Sequence, residues 1–237
     1  MAVAAGGNYS LGLKADGAIV AWGRDDYGQC NVPAPNGDFV AVGAGLYHSL
    51  GLKADGSIVA WGRDDYGQCD VPAPNTGFIA LAAGYDHSVG LKADGSIVAW
   101  GNNSYGECNV PAPNSGFIAV AGGGSHSLGL KSAGSIVAWG DNVYGQCDIP
   151  APNRGFVAVT GGNDHSLGLK AHSADLNCDG VVNFKDINPF AVYLLDFAAW
   201  RGLFPACPAL NGDINGDGTY PSFKDINPFV VLLSAGG

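Results

Sequence analysis

The sequence predicts a mainly β chain: a propeller of repeated blades, with a small helical module appended. Three observations carry this. Tryptophan recurs at positions 22, 61, 100 and 139, always 39 residues apart. Glycine supplies 38 of the 237 residues, while glutamate, a good helix former, occurs only as Glu107 among 21 acidic residues. The 39-residue pattern stops at Lys170, and beyond it the spacing Asp-x-Asn-x-Asp-Gly occurs twice.

The repeat is read first, because missing one mistakes the whole fold. Cys30, Cys69, Cys108 and Cys147 keep the tryptophan step, as do Tyr27, Tyr66, Tyr105 and Tyr144. Lys14, Lys53, Lys92, Lys131 and Lys170 extend it into a fifth, partial copy. One unit runs from Phe78 to Asn114. Phe78-Ile-Ala-Leu-Ala-Ala is short and apolar on both sides, as a strand between two covering layers would be. His87-Ser-Val-Gly-Leu-Lys is a second strand. Asp94-Gly95 marks a hairpin. Ser96-Ile-Val-Ala-Trp100 is a third strand, closed by Gly101, and residues 102–106 form a polar loop. Cys108 to Pro113 is at best a short edge strand, since its prolines donate nothing to a ladder. Three strands, with or without a fourth, cannot bury both faces alone. Copies stacked radially do, which is the logic of a propeller.

Composition excludes several functions. Net charge is −10, and only 11 lysines and arginines occur in the whole chain. A nucleic-acid partner needs a basic cluster, so none is expected. No apolar run reaches 18 residues, so no membrane insertion by a helix is expected. The first residues lack the basic and apolar regions of a signal peptide.

Val42-Gly-Ala-Gly45-x-x-His48-Ser-Leu-Gly-Leu, then Asp-Gly and Ala-Trp61-Gly, resembles the repeat of the regulator of chromosome condensation family. It recurs with His87, His126 and His165 and covers residues 1–170. The short unit is similar to bacterial members, among them propeller-type β-lactamase inhibitor proteins. The resemblance implies a binding scaffold of typically seven blades. Tyr9 departs from it at the first histidine position, and Ala133 at the hairpin aspartate. About four and a half units are present. Met1 aligns with Val40, inside a strand. The domain is therefore expected to be an N-terminally truncated propeller, with a small ring of four or five blades as the other reading.

Each repeated residue has a structural reading. The histidines are expected to satisfy backbone groups at strand starts, being too dispersed around a ring to share one ion. The tryptophans read as core. One cysteine per blade leaves no partner within a blade, so these read as small, buried thiols. The variable loops after Trp-Gly carry Tyr27, Tyr66, Tyr105 and Tyr144, which equivalent loops gather on one face as candidate ligand contacts. Adjacent His and Ser on a strand point to opposite sides, so the recurring His-Ser dipeptide is not a catalytic dyad.

After a linker at 171–174, residues 175–237 carry the two loops. Asp175, Asn177, Asp179, Val181, Asn183 and Asp186 stand at the oxygen-ligand positions of a twelve-residue calcium loop, Val181 through its carbonyl, with Gly180 at the sharp bend. The second loop offers Asp213, Asn215, Asp217, Thr219 and Asp225. It is one residue longer, so its ninth ligand is Ser222 or a water. Asn188-Pro189 and Asn227-Pro228 then start short helices. Two such loops, each leading into a helix, resemble a type I dockerin. That resemblance implies two Ca2+ ions, calcium-dependent folding and docking onto a cohesin-type domain. It places partner recognition at Phe184, Lys185, Phe223 and Lys224. Cys178 and Cys207, both beside the loops, are candidates for a disulfide within this module.

The expected function is a non-catalytic, extracellular or cell-surface interaction protein. Its propeller binds an unknown protein or carbohydrate ligand, and its tail attaches to a cohesin-type partner. The alternatives are a propeller-type enzyme inhibitor or a truncated component of a carbohydrate-active enzyme. No paired-acid motif in the repeats favours the last.

Overall fold

The computed structural model describes residues 1–170. The expected linker, both calcium loops with their ligands, the Phe-Lys pairs and Cys178 and Cys207 lie outside the described residues.

Each 39-residue unit forms one antiparallel sheet in simple up-and-down order. The first blade is β1 (Ala2–Ala5), β2 (Tyr9–Leu13) and β3 (Ile19–Gly23). The second is β4 (Phe39–Ala44), β5 (His48–Lys53) and β6 (Ile58–Gly62). The third is β7 (Phe78–Ala83), β8 (His87–Lys92) and β9 (Ile97–Gly101). The fourth is β10 (Phe117–Gly122), β11 (His126–Lys131) and β12 (Ile136–Gly140). A two-stranded sheet, β13 (Phe156–Gly161) with β14 (Ser166–Lys170), follows. The first strands of successive blades neighbour one another, so they form the inner layer of the array.

The hairpin between the second and third strands has a three-residue loop. Lys53 N donates to Ser57 O and Gly56 N to Lys53 O, while Gly56 has φ +80°. That is a turn followed by a left-handed residue, a conformation that costs glycine nothing. Asp55 Oδ1 accepts from Ser57 N at 2.9 Å and so pins the turn. Its carboxyl is held below the ordinary range by the Ser57 hydroxyl and amide. Ala133 removes that pin in the fourth blade, yet Gly134 keeps φ +75° and the hairpin forms.

One expectation changes. The segments from each repeated cysteine to the following Ala-Pro are not strands. The asparagine after each segment takes the place of a fourth strand. Asn75 Oδ1 accepts from Ile58 N at 2.8 Å, and Asn75 Nδ2 donates to Ile58 O at 2.8 Å. Ile58 faces Leu52 across the sheet, so these are its outward backbone groups. An amide side chain sets an N–H donor beside a carbonyl acceptor and therefore mimics one strand residue. Asn36, Asn114 and Asn153 do the same for Ile19, Ile97 and Ile136. The first strands are covered on both sides, as expected: Leu81 and Ala83 pack against the cluster of the second blade, and Ala80 and Ala82 against that of the third. At the strand starts, Phe39, Phe78 and Phe117 point into the core, while Val40, Ile79 and Ile118 are exposed.

The core is built between blades. Leu50, Leu52 and Ile58 of the second blade cluster with Phe78 and Trp100 of the third. Val89, Leu91 and Ile97 cluster with Phe117 and Trp139 in the same way. Each buried side chain of this size contributes about 1.5–3 kcal/mol. Gly51 makes room for the preceding Phe39, whose ring would lie 2.5 Å from an added Cβ. The tryptophans at 61, 100 and 139 are core as expected, each 6% exposed. Trp22 is 51% exposed, since no described blade precedes it.

Candidate functional site

The loop after each third strand begins where a Trp-Gly pair turns away from the sheet. Arg63 N donates to Tyr47 O at 2.9 Å, which sets this loop beside the turn between β4 and β5. The loop is held from below. Gln68 is fully buried, and its Oε1 accepts from Tyr66 N at 2.9 Å. The Gln68 carbonyl accepts from Ser88 Oγ at 2.9 Å and Trp100 Nε1 at 3.0 Å, both in the next blade. Asp64 Oδ1 accepts from Cys69 N at 2.7 Å, and Cys69 Sγ donates to Arg63 O at 3.4 Å. The loop is therefore rigid, and Tyr66 stands out from it. Gln29, Glu107 and Gln146 play the same part beneath Tyr27, Tyr105 and Tyr144.

The cysteines thus differ from the buried thiols expected of them. They are only partly covered, and their protons engage loop carbonyls. Burial pushes the Cys69 and Cys108 thiols up to about 12 and Cys147 up to about 11, with neighbouring carboxylates adding to it.

Two of the four predicted tyrosines come together. Tyr27 and Tyr47 stack at 5.0 Å between centroids, tilted by 49°. The Arg63 guanidinium lies 5.4 Å from the Tyr27 ring, 5.8 Å from Tyr47 and 5.7 Å from Tyr66. Arg24 lies 5.5 Å from the Tyr47 ring. Arg24 Nε donates to Asp26 and Arg63 Nε to Asp65, and Arg63 Nη1 is 3.6 Å from Asp86 Oδ1. Asp86 is pushed up chiefly by burial, against the pull of Arg63. Tyr105 and Tyr144 stand apart from this cluster. Asn102 and Asp141 replace the arginine in their loops, so no guanidinium joins them, and Tyr144 is 74% exposed. Tyr47, Arg24, Arg63 and Asp86 were not among the predicted site residues. The signal was the Arg-Asp-Asp-Tyr sequence shared by the first two loops alone. Beside the cluster, Leu46, Tyr85 and Asn163 line a shallow cavity of about 310 Å3 with small residues from the ends of the inner strands.

The histidines do something the sequence reading did not foresee. His48 Nε2 meets Ser88 Oγ of the next blade at 3.0 Å, His87 meets Ser127 at 2.9 Å, and His126 meets Ser166 at 3.0 Å. Ser88 donates its own proton to Gln68 O, and Ser127 to Glu107 O. Each serine oxygen must therefore accept from the ring, which fixes the Nε2–H tautomer. The Nδ1 atoms of His48, His87 and His126 stay buried without a partner among the described residues. Burial pushes His48 down to about 4 and His87 down to about 3, the latter helped by the neighbouring histidines. A Ser–His pair thus recurs across blades, but the serine proton points at a carbonyl. This is a tie between blades, with no activated nucleophile. Tyr9 fills the first position, its hydroxyl against His48 O and Ser49 Oγ.

Residues 2–29, 39–68, 78–107 and 117–146 match the regulator of chromosome condensation (RCC1) repeat. The chain carries four RCC1 repeats, and its described part is an RCC1-type β-propeller. No curated protein matches the sequence. Among solved structures it is similar to Prp20p from Saccharomyces cerevisiae, at 19% identity and TM-score 0.63 over 72% of this chain and 56% of Prp20p. The receptor kinase CR4 ectodomain of Physcomitrella patens gives 23% and 0.59 over 72% and 48%. The ACR4 ectodomain of Arabidopsis thaliana gives 26% and 0.56 over 71% and 58%. The chain thus spans about half the length of these structures.

Proposed function

We propose that the repeat domain is a non-catalytic protein-binding module whose contact surface is the loop face around Tyr27, Tyr47, Tyr66 and Arg63. The observation that carries this is the half-exposed tyrosine cluster ordered around one guanidinium. Tyrosine and arginine dominate protein contacts because they offer large area, polar ends and little rotamer freedom to lose. Here the rings are already stacked and their loops braced, so binding orders little more. Among similar structures, Prp20p was described with its binding properties to Gsp1p and histones, and yeast RCC1 (Prp20) was solved with Kap60 bound. Those partners belong to those proteins.

The tail supports a second part of the proposal: residues 175–237 attach the propeller, in a calcium-dependent way, to a cohesin-type domain outside the cell. Each loop gathers three carboxylates, Asp175, Asp179 and Asp186 or Asp213, Asp217 and Asp225, with amide and carbonyl oxygens between them. An all-oxygen donor set suits a hard cation.

Affinity capture with the full chain tests both parts. Tyr27→Ala/Tyr66→Ala should lose partners held by the propeller and keep those held by the tail. Chelator, or Asp175→Ala/Asp213→Ala, should do the reverse. Capture indifferent to the tyrosines would refute the first part, and capture indifferent to calcium the second.

A further inference from the structure

We propose that the loop face takes a basic segment of its partner, a stretch of polypeptide rich in lysine or arginine; this rests on the reading of that face as a protein-binding surface. The cluster contains two cations, Arg24 and Arg63, against five carboxylates: Asp25, Asp26, Asp64, Asp65 and Asp86. Two positive and five negative charges leave −3. Both arginines are already engaged. Arg24 is paired with Asp26, and Arg63 with Asp65 and, more loosely, with Asp86. Each guanidinium thus already has a carboxylate partner.

Asp86 is the carboxylate with most to gain. Its Oδ1 is buried and makes no hydrogen bond among the described residues. Its only near cation among the described residues, Arg63, stands at 3.6 Å, too far for a good charge-assisted bond. The Asp86 side chain is still 21% exposed, and there an ammonium or guanidinium from outside can pair with the carboxylate. The tyrosine faces around it, half open to solvent, are surfaces to which a second cation is drawn.

The rest of the propeller orients such a partner. At the opposite, hairpin end stand Lys53, Lys92, Lys131 and Lys170, each with its ammonium on a proline carbonyl at 3.0–3.1 Å. Asp55 and Asp94 share these hairpins and offset the lysines, so the aspartate–tyrosine end is the negative one. A basic segment is steered to it.

The test uses the full chain with calcium present and two fluorescein-labelled nonapeptides, one alternating lysine with glycine, the other glutamate with glycine, read by anisotropy. The lysine peptide should bind at least tenfold more tightly, and weaken as salt rises from 50 to 200 mM. Asp86→Asn should weaken it at least threefold, and Tyr27→Ser likewise. Asp94→Asn, the same charge change at the hairpin end, should leave it unaltered. Two variants at different points of the face guard against a local failure to fold in either. Tighter binding of the glutamate peptide would overturn the inference, as would equal effects of Asp86→Asn and Asp94→Asn. If Tyr27→Ala/Tyr66→Ala abolishes partner capture while the lysine peptide neither binds nor competes, the basic partner is refuted and the protein-binding face stands. If the tyrosine changes leave capture intact, the face reading itself fails.

Discussion

Replacing Asn75 isolates the device that closes the outer edge of a blade. Its side chain makes two hydrogen bonds to one residue, both at 2.8 Å, to the amide and carbonyl of Ile58. Asn75→Ala removes both and leaves two half-covered backbone groups. A hydrogen bond contributes about 1 kcal/mol net when water can replace it, and its loss costs about 1–3 kcal/mol when water cannot. The expected destabilisation is therefore about 2–4 kcal/mol. Asn75→Asp keeps the acceptor for the Ile58 amide but sets a carboxylate oxygen against the Ile58 carbonyl. It should cost at least as much as alanine at pH 7, and recover part of that loss once acid protonates it and restores a donor. Urea unfolding followed by tryptophan fluorescence measures both, compared through the midpoint at constant slope. Asn114→Ala, the same clamp one blade on, serves as a replicate. A loss below about 0.5 kcal/mol for Asn75→Ala, or an aspartate variant as stable as the parent at pH 7, would refute the view that this amide stands in for a strand.

Three further outcomes are expected. His48 and His87 sit below the ordinary histidine value of 6.5, at about 4 and about 3. The unfolded chain therefore binds more protons. Stability should be full above pH 6.5 and fall with acidity toward pH 4, by up to about 1.4 kcal/mol per pH unit for each histidine. Urea midpoints at pH 7, 6 and 5 check this, and a flat profile would count against buried neutral rings. A thiol reagent such as Ellman's should label at most two cysteines in the native protein, since the Cys30, Cys69, Cys108 and Cys147 thiols are raised and bonded to carbonyls. Rapid labelling of more than two without denaturant would contradict that. Circular dichroism of the full chain should lose helix signal on chelation and regain it with calcium, and an unchanged spectrum would sink the calcium-dependent fold of the tail.

Much of the propeller was legible because a repeat multiplies weak signals. One Asp-Gly or one apolar hexapeptide decides little, but three of the first and four of the second in one register decide the strand order. The strand Phe78–Ala83 was read to the residue. What the sequence hid were contacts between units. The His48–Ser88 bond joins residues 40 apart, and within one unit His and Ser are only adjacent, so neither their pairing nor its direction could be read locally. The asparagine clamp was hidden for a different reason. Strand propensity says nothing about a side chain substituting for a ladder, so the proline-rich segment read as a weak strand. At the face, the repeated tyrosines were found by register. Tyr47 was missed because its register-mates are Asn8, Asp86, Ser125 and Asp164. A feature confined to one unit is invisible to an argument built on what units share.

The interleaved core has a consequence for how such an array can change length. Every interior blade offers the same two sides: a Phe and Trp that fill the blade before it, and a hollow filled by the blade after it. The serine of each unit ties back to the unit before, and the histidine ties forward to the unit after. Any junction between two units is therefore interchangeable with any other. Insertion or loss of 39 residues, cut at the same phase among the histidine-bearing units, recreates the His–Ser bond and the Phe–Trp packing that it breaks. A change that cuts through the strands out of phase disrupts two blades at once. Tandem duplication of the coding segment is thus the step the packing tolerates, and the number of blades becomes a countable trait that recombination can adjust without redesigning a single interface.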